Sequence, residues 1–346
     1  SVMIRPTSAS PRRRGRIVGI DLARALALIG MFTQHISIFD DDGATSTGWV
    51  AWFFEQSAGR AAVLFFLLSG VSLAMIHRSG SFSAESSVLQ RRGFLLLTGG
   101  ILLTLTVWPA SILQHYGVAF LIAPWLLRLG RRGLGLVTLA GLVGGPLALL
   151  VLPRFSDQVL GLWTGATGAW VISQVWDLLV SGIYPMVIWI GFFTLGIMIG
   201  RTRLETRRTA AALALGGVVT TLTFGAVANL VADRAGDLIE DAEAVAAADL
   251  IDDTRAVAAA DVEVIDTSLL TDEEFDAKWG SAGEFGTPSV DGPIAWGSLA
   301  DTTGHSGGMG WTLQTSGIAA ALLGAALLLP SRSHRWLVPF ATLGSM

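Results

Sequence analysis

Two side chains in the first apolar run of the sequence have types and a spacing that could perform chemistry. Arg24 is a permanent cation, and His35 carries an imidazole, which can act as a base or a nucleophile near neutral pH. The two residues are eleven positions apart, close to three helical turns. Both therefore lie on one face of a helix, roughly 16 Å apart along its axis. Asp21, three positions before Arg24, is placed to form an ion pair with it, either structural or functional.

Arg24, ten residues and then His35 resemble the first-helix motif of the acyltransferase-3 family, and this resemblance implies acyl transfer from a thioester to a hydroxyl or an amine. Imidazole can remove the proton of the acceptor, or it can carry the acyl group in a covalent intermediate. An acyl-CoA donor also needs a cation for its phosphates, and the guanidinium of Arg24 can bind phosphate through two parallel hydrogen bonds. The separation of about 16 Å is comparable to an extended pantetheine arm. We therefore hypothesise that one helix holds both ends of the donor.

Three further residues are candidates for the same site. Arg60 begins the second apolar run, where it reaches the membrane interface, pairs with Glu55, or stabilises the oxyanion that develops on the acyl carbonyl. His115 begins a later run on the side expected for His35, as a structural histidine or a second catalytic one. His305 ends a long acidic segment, where it could contact the acceptor.

The elements that must position these side chains are predicted to be transmembrane helices. The chain has 346 residues, of which 52% are hydrophobic and only 14% are charged, and its mean hydropathy is +0.59. A soluble domain carries about 25% charged residues, and a hydrocarbon core of about 30 Å requires about 20 apolar residues in helical form. A ninth predicted span begins near Trp336. The other eight cover residues 17–38, 58–77, 93–109, 111–128, 133–152, 181–200, 209–232 and 309–330.

The distribution of charge predicts the orientation of these spans, because cytoplasmic loops are rich in Arg and Lys. Every second connection is basic, and together with the N-terminal segment these connections hold 17 of the 23 Lys and Arg. In contrast, 18 of the 27 Asp and Glu lie in residues 233–301. The chain is therefore predicted to lie in the cell (inner or plasma) membrane. Its N-terminus is predicted to be in the cytoplasm, and its acidic loop is predicted to be outside. The basic stretches are residues 5–16, 78–92, 128–132, 201–208 and 332–335.

The chain divides into four predicted parts. Residues 1–16 form a basic cytoplasmic segment. Residues 17–233 form a transmembrane bundle, in which the segment 155–180 lies at the interface because its tryptophans are typical of that level. Residues 234–308 form an acidic extracytoplasmic loop, either a solvated spacer or an electrostatic screen against anions. Residues 309–346 hold the C-terminal helices.

The composition excludes several other kinds of site. The chain contains no cysteine, so disulfides and thiolate chemistry are excluded. No cluster of His, Asp and Glu has metal-ligand spacing, so no metal is predicted. The glycine-rich turn at residues 130–135 follows no strand, so it does not indicate a dinucleotide-binding fold. The arginines lie in loops and not along one face, so no nucleic-acid partner is predicted.

Several segments resemble a superfamily of membrane acyltransferases. Arg24, ten residues and then His35 resemble the first-helix motif of the acyltransferase-3 family. Residues 64–70, which read Leu-Phe-Phe-Leu-Leu-Ser-Gly, resemble its second-helix segment. The resemblance covers most of residues 16–346 except the acidic insert. Other segments look like the YeiB-like proteins, which are grouped with the heparan-α-glucosaminide N-acetyltransferase-like proteins: residues 59–65, 114–117 and 305–308.

The resemblance implies an all-α polytopic membrane protein, a bundle of about eight to ten helices with a cytoplasmic N-terminus. It implies an O- or N-acyltransferase that moves an acyl group from cytoplasmic acyl-CoA, with acetyl-CoA as the expected donor. The expected acceptor is an envelope glycan or glycolipid outside the cytoplasm. The implied catalytic residues are His35, as base or acyl carrier, with Arg60, His115 and His305; the implied donor-binding residues are Arg24, Asp21 and Ser69.

Two departures and two alternatives accompany this assignment. The heparan-type enzymes carry their proposed catalytic histidine in a loop after the first span, and residues 39–57 hold no match. Related proteins continue beyond Gly344 with at least one more helix, so the C-terminal helices are expected to be incomplete. The intramembrane Arg and His also fit a proton- or anion-coupled transporter or flippase of an envelope precursor. A non-catalytic partner of an envelope enzyme is the second alternative, and a homo-oligomer is left open.

Overall fold

The structure is a computed structural model, and it describes residues 17–36, 48–78, 82–106, 111–161, 166–257, 296–302 and 306–329. Within these ranges the regular secondary structure is helical and contains no strand. The α-helices are α1 (Val18–Ile36), α2 (Trp49–Ser57), α3 (Arg60–His77), α4 (Phe82–Thr106), α5 (Leu113–Arg128), α6 (Arg131–Leu139), α7 (Gly145–Val151), α8 (Ser156–Leu160), α9 (Ala166–Trp176), α10 (Met186–Gly200), α11 (Arg207–Val257) and α12 (Met309–Leu328).

The long helices alternate in direction through the bundle. Gly30 of α1 lies against Ala61 near the start of α3, whereas Arg24 bonds Ser72 near the end of α3. These two helices are therefore antiparallel. Gly19, at the start of α1, lies against Ala326, near the end of α12. The start of α1 consequently shares one end of the bundle with the C-terminal ends of α3 and α12.

Glycines bring the other neighbouring helices into close contact. Gly100 of α4 lies against Gln114 of α5, and Gly217 of α11 lies against the backbone of α12. α3 and α10 meet at Gly70 and Gly196, where any Cβ would collide with a backbone carbonyl of the other helix. In a bilayer, lipid chains are as apolar as leucine, so helices associate through the van der Waals contact that small residues allow.

Aromatic side chains fill the interior between α3, α5 and α10. The ring of Phe66 lies 4.7 Å from that of Tyr116 and 5.3 Å from that of Trp189, between centroids. Trp311 of α12 extends this cluster by an edge-on contact with Phe192 at 5.9 Å. Because these rings are nearly or fully buried, they fix how the four helices pack.

The structure confirms the all-α polytopic architecture. Among the described residues, five helices are long and apolar enough to cross a membrane. The pair Trp170–Ser181 and Met186–Gly200, bent by 53°, makes a sixth if it is counted as one span. The helices α1 and α5, which were predicted as spans over residues 17–38 and 111–128, run in the same bundle but are not among the described helices that are long and apolar enough to cross a membrane. The five are Arg60–His77, Ser86–Thr106, Arg131–Phe155, Arg207–Val231 and Met309–Leu328.

Three boundaries differ from the sequence-based expectation. α4 begins at Phe82 and not at residue 93, because the polar run before Gly93 is helical as well. α11 continues to Val257, so the helix of the span extends into the acidic segment. The segment 155–180 contains α8 and α9, and it ends in a π-helical turn before the bend that leads into α10.

One end of the bundle gathers basic residues, and we call it the basic end. Arg78, after α3, donates a 3.1 Å hydrogen bond to the carbonyl oxygen of Thr202, after α10. Arg201 donates to the carbonyl oxygens of Leu127 and Leu129 at the end of α5, and burial lowers its pKa. The opposite end, where α1 ends and α3 and α5 begin, is called the far end. Other arginines of the basic end are Arg91, Arg92, Arg128, Arg131, Arg132, Arg203, Arg207 and Arg208.

Candidate functional site

A cavity of about 1140 Å³ lies between α1, α3, α4 and α5, and it is the candidate site. Arg24 and Arg92 line it at the basic end, and Gln34 and Ser57 line it at the far end, so the cavity runs along α1 from Arg24 to Gln34. Most of the other lining residues are apolar. Each helix contributes a stripe at helical spacing: positions 24, 28 and 31 on α1; 65, 69, 72 and 76 on α3; 92, 96 and 103 on α4.

Two helices hold the guanidinium of Arg24 in place. Its Nη2 donates a 2.8 Å hydrogen bond to the Oγ of Ser72 on α3, and its Nη1 lies 3.4 Å from the Oδ1 of Asp21. The hydroxyl of Ser72 in turn donates to the carbonyl oxygen of Leu68. Asp21 is buried, but the side chain of Arg24 remains 22% exposed, so a ligand in the cavity can contact it.

A second set of hydrogen bonds fixes the far end of α1. The Nε2 of Gln34 donates to the Oγ of Ser57 and to the carbonyl oxygen of Phe54, both at 2.7 Å. Ser57 donates its own hydroxyl proton to the same carbonyl at 3.0 Å. The last turns of α1 are therefore tied to α2 beside the cavity.

His35 follows Gln34, one residue before α1 ends at Ile36. Its backbone belongs to the helix, but its side chain lies outside the described residues. Position 35 is eleven residues after Arg24, so it continues the register of positions 24, 28 and 31 that line the cavity.

Polar side chains are few in the middle of the cavity. Ser69 lines it and donates its hydroxyl proton to the carbonyl oxygen of Phe66 at 2.6 Å. Tyr116 lines it too, with its ring packed on Phe65 and Phe66. The phenol oxygen of Tyr116 is buried, and it bonds no atom of the described residues.

The other predicted catalytic residues lie elsewhere. Arg60 is not among the residues that line the cavity; its guanidinium donates to the carbonyl oxygens of Gln56 and Thr302, at 3.4 and 3.3 Å. His115 is 4% exposed, and its ring meets that of Tyr184 edge-on at 5.4 Å. Neither ring nitrogen of His115 bonds an atom of the described residues. His305 lies outside them.

The structure thus brings Arg24 and Ser69 into one cavity, with Asp21 paired to Arg24, and places Arg60 and His115 beside it. Sequence reasoning missed Arg92, which it used only to predict orientation. The signal was present, because Arg92, Leu96 and Leu103 share one face of α4 by their spacing. Six polar residues of the cavity wall were also missed: Gln34, Ser57, Ser72, Ser111, Tyr116 and Tyr184.

Comparison with known proteins identifies a family. A family model described as "Heparan-alpha-glucosaminide N-acetyltransferase, catalytic" matches residues 16–230. This interval contains every described residue that lines the cavity. No curated protein and no solved structure gives a significant match. Among the described residues, no group of three or more His, Asp and Glu gathers that could hold a metal ion.

Proposed function

The chain belongs to the heparan-α-glucosaminide N-acetyltransferase catalytic family, and from this premise we propose that it transfers an acetyl group from acetyl-CoA to a glycan or glycolipid. The observation that carries this proposal is the cavity that runs beside α1 from Arg24 to Gln34. Ten helical residues correspond to about 15 Å. A donor with its phosphates at one end and its thioester at the other has a comparable length.

In this proposal Arg24 binds a phosphate of the donor. Ser72 and Asp21 hold the guanidinium from two sides, so little side-chain entropy remains to be lost when the phosphate binds. A guanidinium offers a phosphate parallel hydrogen bonds that an ammonium group cannot. Ser69 lies further along the same wall, where it faces the arm of the donor.

His35 is assigned the chemistry at the far end. As a base, its imidazole takes the proton of the acceptor while the acceptor oxygen or nitrogen attacks the thioester carbonyl. The carbon–sulfur bond breaks, and CoA leaves as a thiolate that takes up a proton. As an acyl carrier, a ring nitrogen attacks the thioester carbonyl, the carbon–sulfur bond breaks, CoA leaves as a thiolate, and an acetylimidazole forms. The acceptor then displaces the imidazole, which takes up the proton that the acceptor loses. The mostly apolar walls would limit hydrolysis by water.

The two ends of the cavity are assigned to the two sides of the membrane. The basic end carries Arg78, Arg201 and the arginines of the neighbouring loops. Because cytoplasmic loops of membrane proteins are rich in Arg and Lys, this end is assigned to the cytoplasm. Acetyl-CoA then enters from the cytoplasm, and the acceptor reaches the far end from outside. Arg60 and His115 do not line the cavity, so they support its walls in this proposal. His305 remains a candidate contact of the acceptor.

The test uses the full-length chain in lipid nanodiscs with labelled acetyl-CoA and envelope glycans as acceptor. H35A is expected to bind acetyl-CoA like the unmodified protein but to lose at least about 100-fold in transfer, the usual contribution of a general base. H77A is the matched control, because His77 ends α3 at the basic end and is not among the residues that line the cavity. A rate of acetyl transfer by H35A equal to that of the unmodified protein would refute the role of His35. Transport of a solute without release of CoA would refute the acetyltransferase function.

The acceptor is tested in cells. Mass spectrometry of envelope glycans is expected to show loss of acetyl groups when the intact gene is deleted and their return when it is restored. Restoration with H35A is expected to leave the acetyl groups absent. An unchanged glycan profile in the deletion strain would contradict the proposed acceptor class. It would not bear on acetyl-CoA as the donor, which the nanodisc assay tests.

A further inference from the structure

We propose that Arg92 is a second anion-binding residue of the cavity and that it binds the phosphates of the donor together with Arg24. This inference rests on the proposed function and extends it to a residue on another helix. The ligand chemistry is that of a polyanion with at least two phosphate groups, such as the nucleotide end of a CoA thioester.

The position of Arg92 is the first observation. It lies in α4 and lines the cavity together with Leu96 and Leu103, four and eleven residues later on the same face. On α3, Ser72 and Ile76 also line the cavity, and Ser72 accepts a hydrogen bond from Arg24. Arg24 and Arg92 therefore approach the basic end of one cavity from different helices.

The charge of the cavity is the second observation. Among the described residues that line it, Arg24 and Arg92 are the ionisable residues charged at neutral pH, and no carboxylate lines it. Asp21 offsets part of the charge of Arg24 through the 3.4 Å contact, but no described acidic residue is paired with Arg92. The pair consequently leaves positive charge at the basic end, which a bound polyanion would neutralise.

The exposure of Arg92 suits this role. Arg92 is exposed, whereas Arg24 is held by Ser72 and Asp21. A fixed guanidinium sets the position of one phosphate, and a free one can adjust to a second. Because α4 packs mainly on α5 while α1 packs mainly on α3 and α12, a polyanion bound by both arginines would connect two parts of the bundle.

The experiment compares R92Q with R91Q. Arg91 is the neighbouring residue, also exposed, and it is not among the residues that line the cavity. In nanodiscs, R92Q is expected to weaken binding of acetyl-CoA and of 3′,5′-ADP by about tenfold or more, the effect of losing one charge-assisted hydrogen bond. R91Q is expected to bind both like the unmodified protein. Turnover of S-acetylpantetheine, which lacks the phosphates, is expected to be equal in all three.

Each result has one meaning. R92Q that binds acetyl-CoA with unchanged affinity refutes the role of Arg92 while leaving the proposed function intact. R92Q that loses turnover of S-acetylpantetheine as well has a structural defect, which also refutes the role. An unmodified protein that binds neither acetyl-CoA nor 3′,5′-ADP refutes the proposed function itself. As a further readout, the affinity of the unmodified protein for 3′,5′-ADP is expected to fall more steeply with salt than that of R92Q.

Discussion

The Nη2 of Arg24 donates a 2.8 Å hydrogen bond to the hydroxyl of Ser72, and this contact joins α1 to α3 at the basic end of the cavity. The ion pair with Asp21 lies within α1 and is longer, at 3.4 Å. The hydroxyl of Ser72 is therefore the closer of these two partners of the guanidinium. This difference can be tested with a small substitution.

S72A is expected to raise the KM for acetyl-CoA by about three- to tenfold while kcat changes little, because the guanidinium loses its orientation but keeps its charge. The lost hydrogen bond should also lower the free energy of unfolding by about 1 kcal/mol. Steady-state kinetics and thermal unfolding in nanodiscs measure both effects. S72T retains a hydroxyl and should restore most of the affinity; equal KM values for S72A and the unmodified protein would contradict the orienting role.

Y116F is expected to leave the protein equally stable or to stabilise it. The phenol oxygen is buried and bonds no described atom, and an unsatisfied buried polar group costs about 1–3 kcal/mol. The ring contacts with Phe65 and Phe66 remain in the variant. Denaturation of the unliganded protein measures the change.

T194V provides the comparison for Y116F. The Thr194 hydroxyl donates to the carbonyl oxygen of Ile190 at 2.8 Å and accepts a 2.9 Å hydrogen bond from Thr138. Its loss should destabilise the protein by about 1 kcal/mol. If Y116F proves as destabilising as T194V, the phenol has a hydrogen-bond partner in solution, and the prediction for Tyr116 is wrong.

Two adjacent glycines of α11 are expected to respond differently to alanine. A Cβ at position 217 would collide with the backbone of Ala321 and Gly317 on α12, whereas a Cβ at position 216 has no atom within 4 Å. G217A should therefore lose about 1–3 kcal/mol of stability through overpacking. G216A should be neutral or slightly stabilising, because alanine favours the helix. Equal stability of the two variants would argue against this packing of α11 on α12.

R201A is expected to lower the stability of the bundle by about 2 kcal/mol. The two Nη atoms of Arg201 donate to the carbonyl oxygens of Leu127 and Leu129, at 2.7 and 2.6 Å, which the end of α5 leaves without helical partners. R201K should recover only part of the loss, because an ammonium group cannot reproduce the fork of two parallel donors. Thermal unfolding measures the effect. R203A is the control, because Arg203 is a nearby exposed residue.

The helical bundle could be predicted from the sequence because it depends on local patterns. Apolar runs near 20 residues long predict spans, and the spacing of Arg24 and His35 predicts a shared face. The family assignment, which the sequence motifs indicated, is confirmed by the match to residues 16–230. The roles of His35 and Arg24 remain predictions.

The walls of the cavity could not be predicted from the sequence, because they depend on which helices meet. Arg92 lies 68 positions after Arg24, and only the packing of α3, α4 and α5 brings both to one cavity. The same reason applies to Gln34, whose partner Ser57 lies on α2. Arg60 was assigned to the site from its place at the start of a span, whereas its guanidinium donates to Thr302, 242 positions away.

The uneven packing of the bundle has a consequence for how ligands enter. α3 is embedded between α1 and α10, whereas α4 and α5 pack chiefly on each other and form one wall of the cavity. A hairpin that keeps its internal contacts can tilt as a rigid body without breaking them. We therefore expect the cavity to widen by rocking of this hairpin, which would loosen the contacts of Tyr116 on α5 with Phe65 and Phe66 on α3 and let the nucleotide and the acceptor enter.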